Sequence, residues 1–459
     1  MRGSGNAHPA CDVAANQTPA VRPCVKRWYD VRMRPRTLDP AELVRRLLEW
    51  VGPGLLDALE RAARQPVAQA IPALLPIALR DEPVTGQAAL LAMARTYAAL
   101  SAGELVRLDR GSRHALPLLC VADLELHRHL LQREHGWTVA AALASHFDGY
   151  VRELATRWLD AERSGAEIPS LLLRMNDWVA PIRALARDAM EARLRPSTAG
   201  ALVLALPLLR RLERWGRADH SGFVRRALQL LRRPGLEAAR EEGLASPGAA
   251  VRREAFRLAL EAAPTCAQEL IRRAARDPDR AVRRWALGRV LRERSLRDPG
   301  LLEAFLLDDE LVHRQEAQRL LRQLEPPVDL AAYYRAALAR GDRSRPALFG
   351  LGECGGRGDV ELALPFLEHP HTTLRRAAIY ALGWLDAEGQ AARLVEALSD
   401  ERRRVSNDAA NTLVRSAHVI PGQQAGLELL AAQGGTDFCR DNARAVLEAG
   451  AAYRERWTR

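Results

Sequence analysis

From about residue 146 onward, apolar residues recur at helical spacing, as in Leu374, Ala377, Ala378, Ala381 and Leu382. Positions i, i+3, i+4, i+7 and i+8 fall on one stripe of a helix, so this stripe is the buried one. No strand-like alternation of any length interrupts the pattern. The stripe also repeats. With the apolar residue before an arginine as the register mark, marks fall at Val151, Ile182, Val224, Val251 and Val282. They continue through the poorer matches His313 and Arg343 to Leu374, Val405 and Cys439. Successive gaps are 31, 42, 27, 31, 31, 30, 31, 31 and 34 residues. Self-similarity at this period predicts a stack of helical pairs, each too small to bury its apolar face alone.

The unit begins five residues before the mark, at His146, Asp177, Asp219, Ser246, Asp277, Asp308, His369 and Asp400, with Leu338 as the exception. Asp and Ser there predict helix N-caps, because their side chains accept the first free backbone N–H groups. Pro247, Pro278 and Pro370 follow directly, where a missing N–H costs nothing. Gly288, Gly352 and Gly383 stand at or near the end of the first helix, and a shorter second helix follows, for example Ala391 to Leu398. The 42-residue gap predicts a longer second helix around 199–216, and the 27-residue gap a shortened unit.

The run Asp277-Pro278, Val282-Arg283, Ala286 and Leu287-Gly288, with its relatives, resembles the short HEAT-like repeats of bacterial proteins, the kind also found in phycobilin lyase subunits. The resemblance covers roughly residues 146–459. It implies an all-α, right-handed α-solenoid of HEAT-like helical pairs with a period of about 31 residues. It also implies an Asp–Arg ladder between adjacent units, through Asp177, Asp219, Asp277, Asp308 and Asp400 and through Arg152, Arg183, Arg225, Arg252, Arg283, Arg314 and Arg375. A structural ladder is the expected role for these groups, because buried charges must be paired.

Ahead of the array the register degrades. Residues 39–145 read as irregular helical pairs capping the stack, starting at Asp39-Pro40-Ala41-Glu42 with Leu43, Leu47 and Trp50 at helical spacing. Residues 1–38 read as a disordered basic tail, and Met33 stands as an alternative start. The 48% apolar and 5% aromatic content fits an Ala/Leu-rich helical chain. Runs such as 201–206 are too short to cross a membrane. The six scattered cysteines form no Cys-x-x-Cys, which argues against a disulfide framework or a zinc site and sets a reducing cytoplasm as the expected compartment.

Charge adds one distinction. Of 68 basic residues only Lys26 is lysine, and codon bias explains that ratio as well as selection does. The net charge of +11 divides into +5 for residues 1–38, −1 for 39–204, +10 for 205–300 and −3 for 301–459. Arg210, Arg211, Arg214 and Arg217 fall on one expected second helix, and Arg272, Arg273 and Arg276 on another. Second helices are expected to line the concave face of such a solenoid, so these seven are the candidate partner-binding residues, and they suit an acidic partner. Nucleic acid is disfavoured because no aromatics are interleaved with them as a stacking platform.

Motifs for chemistry do not survive the register. Gly350-Leu351-Gly352-Glu353-Cys354-Gly355 matches a dinucleotide fingerprint, but it falls at a helix end rather than after a strand, and so reads as a helix stop and loop. Glu125, His127, His129 and His135 lie close on one expected helix, where only Glu125 and His129 share a face. No His-Glu dipeptide is present, which argues against the di-iron hydroxylase branch of HEAT-like proteins. Trp158, Asp177 and Trp178 invite comparison with HEAT-like DNA glycosylases, but Asp177 is in register as a cap and Trp178 would then sit in the first helical turn. The expected function is therefore a non-catalytic scaffold or adaptor with no cofactor and no metal, gripping a protein partner along a concave surface. The alternative is a nucleic-acid binder, glycosylase-like proteins included, using residues 205–300.

Overall fold

The computed structural model describes residues 54–457 apart from Asp81, Leu118 and Glu325, so the tail 1–38 and the Asp39 helix start lie outside the described residues. The fold is all-α: about 75% of the described residues are helical, 3-10 turns included, with 26 α-helices and no strand among them. Contacts divide the chain into two compact units, one reaching Leu231 and the other starting at Arg232, and this division falls inside the stretch expected as a single array.

In the first unit, helices Leu55–Arg64, Ile71–Ala78, Pro83–Ala99 and Ala102–Ala115 precede the regular repeats. Ser101 caps the last of these in a full capping box with Glu104. The repeats then supply first helices Gly149–Ala161, Ala180–Glu191 and Ser221–Leu231. The expected long second helix at 199–216 is instead two short ones, Ala199–Leu204 and Leu206–Leu212. Pro207 explains the break, since it cannot donate to the preceding turn. The wide gap is held by Arg193, fully buried, which donates to Glu167 at 2.7 Å, to Asp160 at 2.9 Å and to the carbonyls of Leu159, Asp160 and Glu162.

The second unit alternates first helices Ala249–Ala262, Arg280–Arg292, Leu311–Leu321, Ser344–Cys354, Thr372–Leu385, Arg403–Arg415 and Asp437–Trp457 with shorter second helices. Buried residues follow the predicted stripe, with Ala377, Ala378, Ala381 and Leu382 all fully buried. The repeat aspartates differ from the expected N-caps. Asp177, Asp277, Asp308 and Asp400 each accept the backbone N–H two residues on, at 2.8–3.0 Å, so they fix the loop just before the helix starts. The caps proper are Val179, Asp279, Glu310 and Arg402. The aspartates are displaced because their carboxylates are also committed to an arginine from the preceding repeat.

The glycine-rich motif is not a loop. Gly350 and Gly352 lie inside the Ser344–Cys354 helix, which stops at Gly355. Both allow close approach. A Cβ on Gly350 would stand 2.1 Å from the ring of buried Tyr334, and one on Gly352 would stand 2.8 Å from the Cα of Ala381 on the next first helix. Gly383 repeats this one unit later, with a Cβ 2.1 Å from Cγ2 of Thr412. Helix propensity alone favours Gly350→Ala by about 1 kcal/mol. Tyr334 cannot yield, because its hydroxyl is held by Leu306 O at 3.2 Å and Gln318 Nε2 at 3.1 Å. Gly350→Ala should therefore destabilise by about 2 kcal/mol in chemical denaturation; a stabilised variant would mean that the Tyr334 contact is soft.

Candidate partner-binding face

The side chains joining repeats form a recurring unit. Arg152 donates Nε and Nη2 to Asp177 at 3.0 Å each, and Nη1 to the carbonyls of His146 and Phe147. Arg252 repeats this with Asp277 at 2.7 Å, Arg283 with Asp308 at 2.6 and 3.1 Å, and Arg375 with Asp400 at 2.7 and 3.0 Å. Each pair is 25 residues apart. All three guanidinium nitrogens are used, which is the fork geometry that makes arginine the residue for such a site.

Three of the predicted positions depart from this geometry. Arg183 donates to the carbonyls of Asp177 and Trp178 but to no carboxylate, because Leu208 stands 25 residues on. Arg225 is exposed, and the next repeat offers Ser246 where the others have Asp. Asp219 consequently holds only its own loop, through Ser221 N at 2.8 Å. Arg314 reaches Glu353 instead, at 2.9 Å, and Gln318 binds the other oxygen of Glu353 at 2.7 Å. His313, a poor sequence match, is buried and turns Nδ1 to Asp308 at 3.0 Å.

The seven candidate binding arginines do not share one environment. Arg210, Arg211, Arg214 and Arg217 belong to the first unit, and Arg272, Arg273 and Arg276 to the second. Arg217 donates to Asn176 O at 3.0 Å. Arg272 is paired with Glu269 at 2.8 Å, and Arg273 is doubly bonded to Glu241 at 3.0 and 2.9 Å. Arg273 and Arg276 border an open groove of about 530 Å3, together with Arg252, Phe256, Glu269 and Asp277. Arg211, Arg214 and Arg276 are exposed.

The other candidate residues are occupied structurally. Trp158 is buried, and Asp177 is bound by both Arg152 and Arg174. Trp178 lies in the loop before Val179 rather than in the first helical turn, with the Arg113 guanidinium 4.5 Å from its ring centre. The histidine cluster is not on one helix: Val121–Glu125 ends, and a 3-10 turn at Arg128–Gln132 follows. No group of side chains suited to a metal ion occurs among the described residues. No helix among them is long and apolar enough to cross a membrane.

A face that the reading of basic runs missed lies on three consecutive first helices of the second unit. Residues 31 apart hold matching register positions: Arg345 and Arg376, Phe349 and Tyr380, and then Glu353, Trp384 and Arg415. Within each helix these positions are four apart and so lie on one stripe. The Phe349 and Tyr380 rings are 4.9 Å apart at 71°, and Tyr380 and Trp384 are 6.2 Å apart at 54°. The Arg415 guanidinium lies 4.7 Å from the Trp384 ring centre and 5.5 Å from that of Tyr380. The Arg314 guanidinium lies 5.1 Å from the Phe349 ring centre. Trp384 remains 54% exposed. Partial desolvation beside the rings pulls the otherwise exposed Arg415 guanidinium below its ordinary value, and it makes no ion pair among the described residues. The pairing of register columns was the signal available in the sequence for finding this face.

A HEAT repeat family model matches residues 342–414, the stretch that carries this face. The chain carries HEAT-like repeats. Among solved structures it is similar to importin beta, with 13% identity over 89% of this chain and a TM-score of 0.46. It spans 61% of that importin chain. It is also similar to Kap121p, with 14% identity, 90% of this chain and 48% of that one covered, and a TM-score of 0.27. No curated protein matches the sequence.

The rung at Asp308 gives this repeat protein a pH signature. Burial opposes ionisation of Asp308, but hydrogen bonds from His313, Arg283 and the Glu310 amide outweigh it and hold the carboxyl well below the usual range. A lowered folded-state pKa stabilises above the unfolded value of about 3.9, and that contribution is lost as pH falls through the folded value. Asp308→Asn should cost about 3 kcal/mol at pH 7, because it strands the buried Arg283 charge. Its stability should also fall less steeply than that of the parent chain below pH 5. Parallel acid dependences of the two proteins in urea unfolding would remove Asp308 from this role.

Proposed function

We propose that this chain is a non-catalytic scaffold that holds a protein partner on the first-helix face of residues 345–415. The observation that carries the reading is the exposed Trp384, set beside Tyr380 and under an arginine with no carboxylate. Aromatic and arginine side chains of this kind supply most of the binding energy at protein interfaces. Close first-helix packing at Gly352 and Gly383 supports placing this layer, rather than the second helices, on the inner side of the stack. The non-catalytic reading is supported by the repeat carboxylates of Asp177, Asp277, Asp308 and Asp400, each spent on an arginine. The thiols of Cys120, Cys266, Cys354 and Cys439 are free, which fits a reducing cytoplasm.

The face competes with the basic segment as the contact site, and one pull-down from the native host separates them. The double variant Tyr380→Ala/Trp384→Ala should lose its stoichiometric protein partner, while Arg211→Glu/Arg214→Glu should keep it. The reverse pattern would place the contact in the basic segment, and nuclease-sensitive capture would favour a nucleic-acid partner.

A further inference from the structure

We infer that the occupant of the 345–415 face is an extended acidic peptide that places apolar side chains on Phe349, Tyr380 and Trp384 and a carboxylate on Arg415. The inference rests on the scaffold reading and adds the chemistry of the partner.

Charge is the first argument. Each carboxylate on this face already has its arginine: Glu353 has Arg314 at 2.9 Å, and Asp408 has Arg376 at 2.6 Å. Arg345 is held by Asp309 at 3.2 Å. Arg415 is left over, and so is Arg404, which is exposed and sits on the stripe of Asp408 and Arg415. The surface thus carries positive charge in excess, and the excess lies beside the aromatic rings. A cation stacked on a ring keeps its outer N–H groups free, and a carboxylate accepts two of them in parallel.

Spacing is the second argument. Side chains two apart on an extended chain point the same way, about 6.6 Å from one another. The Tyr380 and Trp384 ring centres are 6.2 Å apart, so alternate residues of such a chain meet successive rings. The three rings are steeply tilted to one another, at 71° and 54°. Successive bases of a single strand need a run of accessible ring faces. These rings are tilted away from a common plane, and an arginine lies over each of the three, so the face suits aliphatic side chains and not stacked bases.

The test uses the full chain and fluorescence anisotropy with a labelled twelve-residue peptide of alternating glutamate and leucine, kept monomeric by one central proline. The controls are its lysine counterpart and oligo-dT of equal length. The acidic peptide should bind at least tenfold more tightly than either control, and more weakly as salt rises. Trp384→Ala and, separately, Arg415→Gln should each weaken it about tenfold, with unchanged thermal unfolding, since both side chains are exposed. Arg415→Glu should reverse the preference toward the lysine peptide. Equal binding of the two peptides, tighter binding of oligo-dT, or no effect of Arg415→Gln would overturn the inference. A host partner still captured by Tyr380→Ala/Trp384→Ala would instead overturn the scaffold reading beneath it. A partner lost by that variant, with peptides that show no charge preference, would leave the scaffold reading standing and remove only the acidic chemistry.

Discussion

Four junctions between repeats of this protein are closed by an arginine that cannot be left unpaired. Arg152, Arg283 and Arg375 are buried by the helices that stack around them, and Arg252 is largely covered. A buried guanidinium without partners is too costly to keep. The chain answers with one aspartate from the following repeat and two carbonyls from the arginine's own preceding loop. This arrangement fixes loop, helix start and neighbour together, because the same aspartate also accepts the N–H that begins the next helix. Desolvation is the constraint, and repeat geometry is its consequence.

Where the period slips, so does the rung. The 42-residue gap leaves Arg183 without a carboxylate, and Arg193 takes over with Glu167 and Asp160. Around residue 340 the 25-residue partner is missing, and Glu353 on the next first helix serves Arg314. In both places the requirement to pair a buried arginine is met by different residues in different geometry. The rungs tolerate insertion because the need is electrostatic and local, whereas the spacing is only one way to satisfy it.

The inter-repeat contacts also determine which residues reach the outside. Small residues bring the first helices together at Gly352 and Gly383. Close approach pushes the larger side chains of the same helices, Phe349, Tyr380 and Trp384, onto the face between stripes. They stack with arginines there because a guanidinium over a ring retains part of its hydration. The glycine motif and the aromatic face are thus one feature seen from two sides. As a string of letters the glycines match a dinucleotide fingerprint and read as a helix stop and loop, and on the helix they are the contact that shapes a surface.

The sequence by itself determined the helical class, the period and the buried stripe, while the arginine–aspartate ladder entered only through the resemblance to HEAT-like repeats. Class, period and stripe follow from burial and from fixed spacing along one helix, which a linear pattern records directly. Only the tertiary structure decided the rest. It broke the 199–216 helix at Pro207, moved the aspartates from caps to inter-repeat partners, and paired Arg272 and Arg273 with acids. It also brought Phe349, Tyr380, Trp384 and Arg415 together from three helices. The physical reason is that the charge of a segment is additive along the chain. Whether an arginine is neutralised, or left free beside a tryptophan, depends on neighbours about thirty residues away.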